Sequence, residues 1–321
     1  MQIKVGIPQA MLYHEFGGLW NIFFQNMGIP VVLSGETNKQ ILNRGTLLAM
    51  DESCLPLKVY LGHVDALLPE CSHIFVPRIA QYHPNFHFCA KFAGLPDIVQ
   101  NTFRLSSDQL ISPNIEHKSP VKQLQALQDT CRSIGLSAVP GYFSYRHSLK
   151  SWKNNTSGNT LSKRSIAVIG HSYLVKDAFF CHDIMNMLTS RGIAVVTPEH
   201  VDNKALYAEA KIFEPDIYWQ LSAKIAGAAH FFCRQRNVIG IIVLSSFACG
   251  PDSLMNEYIT HHILKKSDKP YIIISIDEHT GSAGLMTRIE AFCDLVEWRE
   301  KHESSLPSYG ISEHTHCKNA Q

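Results

Sequence analysis

The chain reads as an α/β protein of two domains, each a small parallel sheet with covering helices, whose strand ends face a central cleft. Three observations predict it. Short apolar runs such as Ile239-Gly-Ile-Ile-Val-Leu244 are continuous rather than alternating, as expected of strands buried on both faces. Each run is followed by a stretch with apolar residues at helical spacing. After a polar stretch at 151–164 the alternation starts again, which gives two Rossmann-like domains, 1–150 and 165–302, and a polar tail at 303–321.

Taken in order, residues 3–7 form a strand ending at Gly6-Ile-Pro8, and 12–27 form a helix closed by Gly28. Residues 29–33 make the next strand, and Ser34-Gly-Glu-Thr37 caps a helix over 38–43. A third short strand is expected over 45–50, delivering Asp51-Glu-Ser-Cys-Leu-Pro-Leu-Lys58 to a helix that reaches about residue 68. A strand over 73–78 leads through a polar, histidine-bearing loop to Phe88-Cys-Ala-Lys91. Residues 106–135 read as helical and connecting, and 151–164 as a linker or surface loop. In the second domain, a strand over 165–169 ends at Gly170-His-Ser-Tyr173, a helix over 177–191 is closed by Gly192, and 193–197 is a strand. A helix over 218–236, the strand 238–244 and a helix over 253–266 follow. The last strand, 270–277, leads into Glu278-His279 and a final helix to about residue 301.

Composition narrows the function. With 321 residues, 45% hydrophobic and 18% charged, the chain has ample material for a core. A formal charge of +1 without a basic run leaves no electrostatic footprint for nucleic acid or an anionic membrane. The opening Met1-Gln-Ile-Lys-Val-Gly-Ile-Pro8 is too short an apolar run for a signal peptide, and nothing is long enough to span a bilayer. A cytoplasmic location is therefore expected, where nine cysteines mean packing or metal chemistry rather than disulfides.

Three of the nine share a pattern. Cys54, Cys89 and Cys249 each occupy a loop expected just past a strand, among Pro, Gly or acidic residues. Ligands in open α/β sheets bind outside the carboxyl ends of strands, so thiols from two domains can meet there. The others read as packing or surface: Cys131, Cys181, Cys233 and Cys293 lie in helical patterns, Cys71 directly precedes a strand, and Cys317 is in the tail. No Cys-x-x-Cys pair suits a structural zinc site. An iron–sulfur cluster tolerates scattered ligands, and three thiolates leave one of four irons open. Lys58 and Lys91 are candidates to offset the charge of such a group or to meet an anionic substrate, and Arg288 follows the glycines of a strand-to-helix turn suited to a phosphate or carboxylate. Glu278 and His279 end a strand and are candidates for proton transfer. Each has a competing structural account: packed thiols, solvated cations and loop hydrogen bonds.

The segments around these residues carry a resemblance. Gly6-Ile-Pro8, Glu36-Thr-Asn38, Asp51-Glu-Ser-Cys-Leu-Pro56 with Lys58, Gly62-His-Val64, Val76-Pro-Arg78, Cys89 with Lys91, Gly94-Leu-Pro-Asp97, Cys249-Gly-Pro-Asp252 and Asp277-Glu-His-Thr-Gly281 together resemble the acyl-CoA dehydratase activase-related family, also called DUF2229. The resemblance runs from Gly6 to about Glu297. That family looks like a relative of the 2-hydroxyacyl-CoA dehydratase and benzoyl-CoA reductase subunits, and in longer proteins it is fused to the ATP-dependent activase. What the resemblance implies is that Cys54, Cys89 and Cys249 hold a [4Fe–4S] cluster between two α/β domains. It further implies an activase-type ATPase of the ASKHA-like class, or a related subunit, as partner, and one-electron radical chemistry on an acyl-CoA thioester. One departure is visible: Ala90 follows Cys89 where the family usually has proline, which loosens the loop but removes no ligand.

Three classes of function stay open at this point. The chain is an enzyme or enzyme subunit acting on a thioester, an electron-transfer or cluster-carrying partner without turnover of its own, or a non-redox α/β binding module whose cysteines pack. It has no Gly-x-x-x-x-Gly-Lys phosphate loop, so ATP-driven activation is expected from a partner. Pairing of the chain with itself is left open.

Overall fold

The computed structural model describes residues 3–81, 83, 85–116, 120–154, 163–213 and 216–302. The first half runs β1 (Val5–Ile7), α1 (Tyr13–Asn26), β2 (Val31–Leu33), α2 (Lys39–Leu48), α3 (Leu55–Leu67), β3 (His73–Phe75), β4 (Arg78–Gln81), α4 (Ala90–Phe103), β5 (Leu110–Ile111), β6 (Asn114–Glu116), α5 (Pro120–Ser133) and α6 (Ala138–Asn154). The second half continues with β7 (Ser165–Ile169), α7 (Ser172–Val175), α8 (Ala178–Ser190), β8 (Ala194–Val196), α9 (Asn203–Ala210), α10 (Gln220–Cys233), β9 (Val238–Ser246), α11 (Gly250–His262), β10 (Tyr271–Ile276) and α12 (Ser282–Lys301).

Each half carries one four-stranded parallel sheet, ordered β2-β1-β3-β5 and β10-β9-β7-β8, as the Rossmann-like reading expects. β4 and β6 pair separately, also in parallel. The strands are continuous apolar runs because both faces are covered. In β7, Ile166 and Val168 join the core cluster shared by both halves, while Ala167 and Ile169 join a second cluster against α10. The shared core reaches from Val5, Phe24 and Phe75 in the first half to Val168, Leu244 and Ile289 in the second. In the second sheet the chain leaves β7 first to one side and then to the other, so the carboxyl ends of β7 and β9 flank the place where the order reverses, the usual position of a ligand in such sheets.

Helix ends follow their local chemistry. Asn38 caps α2 by accepting from Ile41 N at 3.0 Å, and Asp177 caps α8 by accepting from Phe179 N at 3.0 Å. Gly28 and Gly192 take positive φ just past α1 and α8, where a side chain is strained.

Several sequence expectations change. Residues 45–50 are not a strand, because α2 continues to Leu48. Gly45, a poor helix former in isolation, is tolerated there because α2 crosses α3 backbone to backbone: a Cβ on Gly45 would lie 1.8 Å from the Lys58 carbonyl oxygen, and one on Gly62 2.0 Å from that of Ile41. Cys54 consequently follows a helix rather than a strand. The stretch 106–135 is not all helical: Leu110 and Ile111 add the edge strand to the first sheet and β6 pairs with β4. Helix α6 runs into the expected linker, and α4 and α9 were unforeseen. The tail at 303–321, with Cys317, lies outside the described residues. Among the described residues, no helix is long and apolar enough to cross a membrane.

Candidate functional site

Three helices begin at cysteines. Cys54 is the N-cap of α3, Cys89 of α4 and Cys249 of α11, and none of the three uses its side chain to cap its helix. Pro56 and Pro251 occupy the first turns of α3 and α11, where a missing N–H costs nothing and the fixed φ suits a helix start. The three cysteines line a single small cavity. Its apolar wall comes from both halves: Phe88 and Phe92 from the first, Trp219 and Leu221 from the second. Each cysteine therefore meets the positive end of a helix dipole beside an apolar wall. The turn delivering Cys249 is strained, since Ala248 takes φ +58 without being glycine.

The electrostatics of the cavity are one-sided. Burial pushes the Cys249 thiol well above its ordinary range, and the Asp252 carboxylate and the other two cysteines push it further. The Tyr173 phenol, also on the wall, is raised by burial and then by the same groups. Lys91 Nζ donates to Cys54 Sγ at 3.3 Å and supplies the lining with a cation. Three soft thiol donors are the ligand type that a metal group held through thiolates takes. Among the described residues, no group of three or more His, Cys, Asp or Glu side chains is arranged to hold a metal ion.

The other sequence candidates scatter. Lys58 and Glu278 pair with each other at 2.5 Å, and neither borders the cavity. His279 is exposed, its backbone N–H donating to Asp277 Oδ1 at 3.0 Å. Arg288 is exposed on α12 and donates to the Ile273 carbonyl at 3.1 Å, away from the cavity. Arg78, from the segment Val76-Pro-Arg78, is committed to a two-pronged pair with Asp97 at 2.7 and 2.8 Å.

The halves are sewn together beside the cavity by polar groups that sequence reasoning did not find. Thr37 Oγ1 donates to Asp177 Oδ2 at 2.5 Å, and with its only proton so used it accepts from His63 Nε2 at 2.9 Å. His63 Nδ1 then accepts from Ser34 Oγ at 2.8 Å, while Ser34 accepts from the Gln9 amide. The imidazole is thereby fixed as a neutral tautomer, and burial, with a smaller push from His14, lowers its pKa to about 4. Lys224 of α10 bridges Glu15 of α1 at 3.2 Å and Glu199 at 3.1 Å. The His87 carbonyl accepts from Gln220 N at 2.8 Å, and the His87 N–H donates to Tyr218 O at 3.0 Å. The signal for His63 was its place in Gly62-His-Val64, where helical periodicity gives a histidine no reason to be.

A family model described as CoA enzyme activase uncharacterised domain (DUF2229) matches residues 4–201, a span that includes Cys54 and Cys89 and stops short of Cys249. No curated protein matches the chain.

Proposed function

The chain belongs to the DUF2229 family of CoA enzyme activase domains, and from that premise we propose that it is an iron–sulfur protein acting in ATP-activated one-electron chemistry on acyl-CoA thioesters. The observation that carries the proposal is the convergence of Cys54, Cys89 and Cys249 on one cavity from three helix N-termini. A cubane is wider than a single ion, so its ligands can stand apart on separate loops. When bound, a [4Fe–4S] group supplies a one-electron couple.

The chain's own residues prepare for it. Cys54, Cys89 and Cys249 hold it, and Lys91 and the three helix dipoles offset the charge of the thiolates. Phe88, Phe92, Trp219 and Leu221 exclude water, which shapes the potential of whatever the thiols hold. An activase-type ATPase, or a related subunit, is the source of the electron.

A second reading is an electron-transfer or cluster-carrying partner with no turnover of its own. It is favoured by one observation: of the candidates for proton transfer and substrate contact, Lys91 alone borders the cavity, and Lys58, Glu278, His279 and Arg288 do not.

Anaerobic purification with iron and sulfide analysis and EPR tests the proposal on the wild type and on Cys54→Ser, Cys89→Ser and Cys249→Ser. About four irons per chain, lost in each variant, is the expected result. A folded, colourless wild type that also resists reconstitution would overturn it and leave an α/β binding module. Titration of the iron-loaded protein with an acyl-CoA then separates the two readings, since only the enzyme's EPR signal responds to the thioester.

A further inference from the structure

The cavity of the three cysteines has a fourth donor. His171 follows β7 directly, as Cys249 follows β9, and the two strands are neighbours with Ile169 beside Val243. They approach closely at their ends: a Cβ on Gly170 would lie 3.0 Å from the Leu244 carbonyl oxygen. His171 therefore stands at the reversal point of the second sheet. Its side chain lines the same cavity and is 3% exposed.

Its two nitrogens have different surroundings. Nε2 lies against Asp252 Oδ1, and the other oxygen of that carboxylate is anchored by the Ser246 N–H at 3.0 Å. The contact is close but lacks the geometry of a hydrogen bond, leaving Oδ1 formally unsatisfied. Nδ1 is buried and has no hydrogen-bond partner at all. A buried nitrogen without a partner is unfavourable, so the site asks for a ligand that completes it. An imidazole with a carboxylate beside one nitrogen and the other nitrogen bare is close to the arrangement behind metal-bound histidines, in which a carboxylate that accepts the N–H fixes the tautomer and raises the basicity of the ligating atom; a small rotation of the ring would make that hydrogen bond here.

The second imidazole on the cavity wall, His87, lacks these features. It is half-buried, stacked on Tyr218 with ring centroids 4.7 Å apart, and held through its backbone by Tyr218 and Gln220.

We infer that His171 is the fourth protein ligand of the group held by Cys54, Cys89 and Cys249, with Asp252 as its positioning residue. The inference rests on the iron–sulfur reading and adds to it. A Cys₃His set leaves no iron open at rest, so a small-molecule oxygen reaches the metal only if His171 gives way. Replacing one thiolate by a neutral imidazole also makes the site less negative than four cysteines would, which raises its potential.

Pulsed EPR on the reduced, anaerobically prepared protein tests this without relying on activity. The expected result is a strong nitrogen coupling that changes when only histidine is labelled with ¹⁵N, that disappears in His171→Gln and that survives in His87→Gln. His171→Cys guards against a folding defect in the glutamine variant: it should retain about four irons, lose the nitrogen coupling and titrate at a lower midpoint potential. A four-iron wild type without histidine nitrogen coupling, or a coupling that persists in His171→Gln, overturns the inference and leaves the cluster standing. A colourless wild type overturns both.

Discussion

Lys58 Nζ stands 2.5 Å from Glu278 Oε1, joining α3 of the first half to the loop after β10 of the second, and the lysine side chain is only 4% exposed. Burial pushes the Glu278 pKa up, but the hydrogen bond and charge of Lys58, with a backbone hydrogen bond and the charge of His279, together outweigh it and hold the carboxyl below its ordinary value. The two residues act on each other, one turn of helix from Cys54, and fix how the halves meet. Glu278→Ala strands a buried ammonium and should cost about 3 kcal/mol in urea unfolding, whereas Lys58→Met leaves only a partly exposed carboxylate and should cost less than half of that. The double variant should recover most of the loss. Equal costs for the two single variants would contradict the pairing as the source.

Stability should fall as the solution is made mildly acidic. His63 and His14 are held at pKa values of about 4, in both cases chiefly by burial, against about 6.5 in the unfolded chain. The unfolded state then binds protons first, so the stabilisation is complete above pH of about 6.5 and is lost as pH falls toward 4. Each histidine contributes a slope of about 1.4 kcal/mol per pH unit in that window. Urea midpoints that are level from pH 8 to 7 and drop from pH 6.5 to 5 are the expected outcome, with a shallower drop in His63→Gln.

Gly45→Ala should destabilise the protein although alanine is the better helix former by about 1 kcal/mol. Its Cβ would meet the Lys58 carbonyl at 1.8 Å, and backbone cannot swing aside as a side chain can. We expect a loss of at least about 2 kcal/mol, read by urea unfolding. A neutral or stabilising result would mean that α2 and α3 are further apart than described.

In the metal-free protein Cys249 should be a slow nucleophile. Its thiol is held up by burial, with Asp252 and the neighbouring cysteines adding to the shift. Only the thiolate reacts, so iodoacetamide labelling followed by mass spectrometry at pH 8 should modify Cys249 more slowly than a free cysteine, with a rate still rising above pH 9. Labelling as fast as that of a free thiol would show that the cavity is wet.

Much of this was legible in the sequence, and the reasons differ by element. β9 and β10 were readable because strands of nine and six residues in a parallel sheet leave long apolar runs, in β9 almost wholly buried. The two-residue strand Leu110–Ile111 was not, since its signal is shorter than any periodicity window. The region 45–50 misled because Gly45 serves a helix crossing, a tertiary reason that local propensity cannot express. At the site, three cysteines stood out through their turn-forming neighbours and do share a cavity. Lys58, Glu278, His279 and Arg288 were chosen by charge and position near strand ends, and charge does not reveal a partner: two of the four answer each other. The line from Ser34 to Asp177 was invisible because its members are 140 residues apart at the Thr37–Asp177 link.

Sequence separation also governs when the cavity can exist. Cys54 and Cys89 are synthesised 160 or more residues before Cys249, so at ~5–20 residues per second a ribosome needs roughly 8–30 s to supply the third thiol. During that interval the nascent chain presents two cysteines without the wall that Trp219 and Leu221 later provide, open to oxidants and stray metal ions. A chain stalled before residue 249 would therefore carry two of the three thiols and an unfinished cavity.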